Sequence, residues 1–82
     1  MFESKFENGT EITDYQAVAY AEGFEETSEP KDVIRAWAYL IHKGTCWSLQ
    51  GFFGRTANAF IHEGLISRDG VINWDEINNR MN

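Results

Sequence analysis

The stretch CWSLQGFFGRTANAF, residues 46–60, reads as one continuous helix. At 100° per residue, Cys46, Leu49, Phe53, Thr56, Ala57 and Phe60 share a face, flanked by Phe52 and Ile61. The opposite face collects Trp47, Gly51, Gly54, Arg55, Asn58 and His62. Glycine inside a helix costs about 1 kcal/mol against alanine. Two of them, three residues apart and beside a tryptophan and an arginine, call for a reason. The reason available to glycine is the close approach of another backbone, from this chain or from a partner. The helix is expected from about Cys46 to Glu63, with Thr45 as its cap and Gly64 as its stop.

Working outward, the preceding stretch supplies the partner helix. Val33, Ile34, Trp37, Leu40 and Ile41 fall on one face at helical spacing. Pro30 suits a first helical turn, and Gly44 follows Lys43 as a stop. An earlier helix opens at ITDYQ, where Thr13 and Gln16 match a capping box, and ends near Gly23. Its inner face is expected to carry Tyr15, Val18 and Ala19. Residues 1–12 read as irregular or weakly hairpin-like around the Asn8-Gly9 turn. Downstream, Leu65-Ile66 and Val71-Ile72 flank Asp69-Gly70 as the arms of a short β-hairpin. Asn73 and Glu76 then open a last short helix. The expectation is one mostly α domain over residues 1–82. It comprises an irregular segment at 1–12 and a compact core of three to four helices over 13–80, with a hairpin near 65–72.

Composition narrows the function. The net charge is −6, with residues 1–32 at −7 and residues 33–82 at +1. Duplex binding needs clustered Lys and Arg, so this balance argues against nucleic acid. The longest apolar run, residues 36–41, is far short of the roughly 20 residues that span a bilayer. No secretory signal opens the chain, and the single cysteine excludes an internal disulfide. An intracellular protein is expected.

No catalytic group, metal site or cofactor is expected. Cys46 and His42 are four residues apart, but Gly44 interrupts the helix that would align them. His42 and His62 lack partners at zinc-ligand spacing. SRDGVINWDE matches the second half of a calcium loop, but Leu65 stands at its first ligand position. GFFG lies within a helical pattern, which does not make a phosphate cradle. Two surfaces remain as candidates for partner binding. One is the glycine face with Trp47, Gly51, Gly54, Arg55 and Asn58, which holds residue types enriched at binding hot spots. The other is the acidic run of Glu22, Glu25, Glu26 and Glu29.

The stretch WSLQGFFGRTANAFIHEGLI, residues 47–66, resembles a core shared by small, largely uncharacterised proteins of tailed bacteriophages. Its pattern is W-x-L-Q-G-x-F-G-R-x-A, followed by an apolar pair and a glycine. FENGTEIT and AWAYLIHKG match in layout, so the resemblance covers most of residues 6–66; the tail NWDEINNRMN lies outside it. The resemblance implies a viral origin and residence in the host cytoplasm. Small acidic phage proteins commonly bind and redirect host machinery, some by mimicking phosphate with carboxylates. By that analogy the chain is expected to bind and modulate a host or phage protein, as an inhibitor that uses acidic mimicry; a homodimer is a further expectation. The alternative is a helix-turn-helix-like nucleic-acid-binding regulator that reads bases with Ser48 and Gln50 at the start of the third helix.

Overall fold

The computed structural model describes residues 2–23, 25, 29–49 and 51–81. Four α-helices are found among them: α1 (Asp14–Glu22), α2 (Lys31–Lys43), α3 (Gly51–His62) and α4 (Trp74–Met81). The first follows from its cap, because the Gln16 backbone N–H donates to the Thr13 hydroxyl at 3.3 Å. The last is started in the same way by the Asn73 side chain, which accepts from Glu76 N–H at 3.2 Å. The stops expected at Gly23, Gly44 and Gly64 all have positive φ.

The second helix is the centre of the molecule. Ala36, Trp37, Ala38, Tyr39, Leu40 and Ile41 are consecutive and buried, so neighbours cover this helix on every side. The α1 helix packs along it through Ala17 and Ala19. Tyr15 is not on that inner face but 75% exposed. The helix has almost no apolar stripe to orient it, and the small alanines give the closest approach to α2. On the other side the Trp37 ring lies 6.1 Å from Phe52, 5.7 Å from Phe53 and 5.7 Å from Phe60, which fixes α3.

The N-terminal segment turns at Asn8-Gly9, with a single antiparallel bridge between Lys5 and Glu11. Buried Phe6 meets Tyr20 edge-on at 5.1 Å. Polar contacts lock this segment down. Arg35 pairs with Glu3 at 3.2 Å, Glu7 at 3.2 Å and Asp32 at 2.8 Å. Buried Asp32 also accepts the Glu7 backbone N–H at 3.0 Å. The Trp74 indole N–H donates to Glu3, and the same ring lies 4.9 Å from the Arg35 guanidinium. The first segment, α2 and α4 thus meet at one arginine.

The expected β-hairpin near 65–72 is not present, and no strand occurs among the described residues. Ile66 and Ile72 form one isolated bridge around a tight loop. The Ser67 hydroxyl accepts the N–H groups of Asp69 and Val71 at 3.2 and 3.1 Å. That local bonding closes the loop within a few residues and leaves no length for paired arms. Ile66, Ile72 and Ile77 seal the core beneath it.

One contact carries a pH signature. The Tyr39 hydroxyl donates to Asp14, and this hydrogen bond, with burial and the carboxylate charge, pushes the phenol up to about 12 from 10.0. A group raised on folding contributes stability that is complete below its unfolded pKa and lost as pH climbs through its folded one. The unfolding free energy should therefore fall between pH 10 and 12. Denaturant titrations across that window should show a smaller fall in Tyr39→Phe. An equal fall in both proteins would remove Tyr39 as the cause.

Candidate functional site

The stretch 46–60 is broken. Thr45–Trp47 forms one turn of 3₁₀ helix, and α3 starts only at Gly51. Ser48 causes the break by bonding back to the Thr45 carbonyl, through its N–H at 3.1 Å and its hydroxyl at 3.1 Å. Thr45 is therefore not the cap of α3. Cys46 is 1% exposed, and burial pushes its thiol up, away from the reactive thiolate. Of the two proposed base-reading residues, Ser48 follows the 3₁₀ turn and is not on a helix, and Gln50 lies outside the described residues.

The break changes what the glycines do. Gly51 is the first residue of α3, and only Gly54 is interior. Neither faces a close backbone. A Cβ on Gly51 would meet only the flexible Arg55 guanidinium, at 3.0 Å. A Cβ on Gly54 would lie 3.8 Å from Cε3 of Trp47, an ordinary contact. The close approach expected of them is therefore not made by a backbone of this chain among the described residues. These glycines provide a smooth seat on which the Trp47 ring and the Arg55 side chain rest. The glycine that does meet a backbone is Gly70, against α2.

The outer face of α3 is exposed along its length. Gly51, Arg55, Asn58 and His62 are exposed, and Trp47, in the turn before α3, is 47% exposed; Phe52, at the edge where it also meets Trp37, is 37% exposed. Arg55, Asn58 and His62 follow one another at helical spacing, as the sequence implies. Sequence spacing misses Arg68. The loop after α3 folds back, so that Arg68 joins Arg55, Asn58, Ala59, Ile61 and His62 around a shallow concavity. No local signal marks this, because Arg68 is brought there by the burial of Ile66 and Ile72 on either side of it in sequence.

The acidic candidates sit elsewhere. Glu22 ends α1 and is exposed, as is Glu25. Glu29 is half-buried and accepts the Lys31 N–H at 3.1 Å, helping to start α2. Glu26 lies outside the described residues. Glu22 also borders an open, mostly apolar groove along α1 with Asp14, Tyr15, Val18 and Ala19. The exposed Tyr15 lines this groove, a feature hidden when Tyr15 is assigned to the core.

Among the described residues, no group of three or more His, Cys, Asp and Glu is placed to hold a metal, and no helix is long and apolar enough to cross a membrane. A family model described as a domain of unknown function (DUF7417) matches residues 13–80. No curated protein and no solved structure matches the chain.

Proposed function

We propose that this chain, which belongs to the DUF7417 family, is a non-enzymatic binding protein. In this reading it is a phage product that acts in the host cytoplasm, where it attaches to a host or phage protein and modulates it. The observation that carries this reading is the outer face of α3. A tryptophan 47% exposed lies on Gly54, next to an arginine that no carboxylate among the described residues neutralises. Solvent-exposed Trp and Arg, held in place by rigid neighbours, are the commonest anchors of protein interfaces. The exposed groove along α1, with Tyr15 near its start and Glu22 at its end, offers a second contact surface together with the exposed Glu25. Carboxylates there act mostly on the rate of association with a basic surface. Inhibition through acidic mimicry would use this second surface.

Affinity capture from bacterial lysate tests the reading. The wild-type protein should retain a discrete partner. Trp47→Ala should lose about 2 kcal/mol of binding, roughly thirtyfold, with little change in melting temperature. Glu22→Lys combined with Glu25→Lys should slow association and flatten its salt dependence. Full retention of the partner by Trp47→Ala would remove the α3 face from the function.

A further inference from the structure

We propose that the concavity between the outer face of α3 and the loop after it receives carboxylate side chains from an acidic segment of a partner protein. This rests on the binding function above and assigns the chemistry of the partner. The chain has seven Lys and Arg residues. Arg35 is held by Glu3, Glu7 and Asp32, and Arg80 by Glu63 at 2.6 Å and Glu76 at 3.1 Å. Lys31 lies over the Trp74 ring and Lys43 over the Tyr39 ring. Lys5 sits in the N-terminal segment. Of the four arginines in a protein with thirteen acids, Arg55 and Arg68 are left without an ion pair among the described residues. The fold brings both to one concavity, from different elements.

The guanidinium is a planar fork of donors that matches a carboxylate two bonds at a time. Asn58 adds an amide, and Ala59 and Ile61 give apolar walls for the methylenes of a glutamate. The surface continues toward the exposed Trp47, which rests on Gly54, the residue before Arg55. An aromatic anchor beside a carboxylate seat fits a folded or extended protein segment. Two arginines match one or two carboxylates of a short segment; a nucleic acid would lay phosphates well beyond them, and a second copy would bring its whole net charge of −6 against a chain of the same charge.

The probe is hexaglutamate, followed by NMR of the intact protein at about 0.1 M ionic strength, where the screening length is about 10 Å. Resonances of Arg55, Asn58, His62 and Arg68 should shift with hexaglutamate and not with hexaglutamine. Arg55→Gln with Arg68→Gln should weaken the apparent affinity about tenfold, or 1.4 kcal/mol. Lys5→Gln with Lys43→Gln removes the same charge and should weaken it less than about twofold, as a general, screened charge effect. Equal weakening by the two pairs, or no shift at the four residues, overturns the proposal. So does a response to inorganic phosphate without one to hexaglutamate. Salt-sensitive self-association that vanishes in Arg55→Gln with Arg68→Gln would give the seat to a second copy and likewise overturn it. Partner capture that depends on Trp47, without hexaglutamate binding, would sink this proposal and leave the binding function standing. Hexaglutamate binding without any captured partner would overturn the binding function, and with it the partner assigned here.

Discussion

Replacing Gly70 with alanine should lower the unfolding free energy by about 3 kcal/mol, and two costs add to give that figure. The backbone at Gly70 has φ +85°, a region where a side chain costs about 1 kcal/mol. A Cβ there would also sit 2.7 Å from the Ala38 carbonyl oxygen, 2.7 Å from His42 Cβ and 3.1 Å from His42 Cα. Those atoms belong to the central helix and cannot swing aside. The loop would have to back away, at an overpacking cost of about 1–3 kcal/mol. Retreat would also pull the Asp69 carbonyl from His42 Nδ1, now 2.9 Å away, and disturb the Phe2 ring stacked on His42 at 3.8 Å. Gly9 is the internal control. It has φ +86°, and a Cβ added there would find nothing within 4 Å, so Gly9→Ala isolates the backbone cost. Urea titrations of the two variants should separate by about 2 kcal/mol. If Gly70→Ala costs no more than Gly9→Ala, the contact with α2 carries no weight.

Trp37→Ala should cost about 3–5 kcal/mol, the usual range for deleting a buried aromatic. A domain of this size has roughly 4–12 kcal/mol in total, so the variant should be partly or wholly unfolded at about 37 °C. Trp37 is 3% exposed, and its ring contacts to Phe52, Phe53 and Phe60 are what hold α3 against α2. The near-UV circular dichroism of the aromatic cluster should collapse. Trp37→Phe should retain most of it, since one ring still fills the site. The contrast with Trp47→Ala is informative for function. Loss of binding there is expected at nearly unchanged stability, whereas loss of binding in Trp37→Ala should follow the loss of fold. A Trp37→Ala protein as stable as wild type would mean that α3 is fixed by other contacts.

Much of the fold is legible in the residues because it rests on short-range physics. The Thr13–Gln16 and Asn73–Glu76 caps, the stop at Gly44 and the buried face of α2 each depend on groups within a few residues of one another. The outer face of α3 is legible for the same reason, since Arg55, Asn58 and His62 are set by helical spacing alone. Local pattern fails where two local structures compete. Residues 46–50 have helical periodicity, but Ser48 offers the Thr45 carbonyl another partner, and Cys46 is buried from a 3₁₀ turn instead. It also fails for α1, whose alanines and not Tyr15 reach the core.

The sequence by itself determined a mostly helical domain of three to four helices, most of their boundaries within a few residues, the acidic first third and the run of Arg55, Asn58 and His62 on one face of α3; that Trp47 reaches that face from a separate 3₁₀ turn was not in it. Only the tertiary structure decided which glycine meets a backbone, that Glu3 and Trp74 share Arg35, and that Arg68 joins Arg55. Each of these pairs residues far apart in the chain: Gly70 with Ala38, Glu3 with Trp74, Arg68 with Arg55. Caps and helical spacing are set by hydrogen bonds and angles between near neighbours. Long-range meetings depend on how the chain returns to bury Ile66, Ile72 and Ile77 against α2 and α3, and that packing leaves no mark on the residues it brings together.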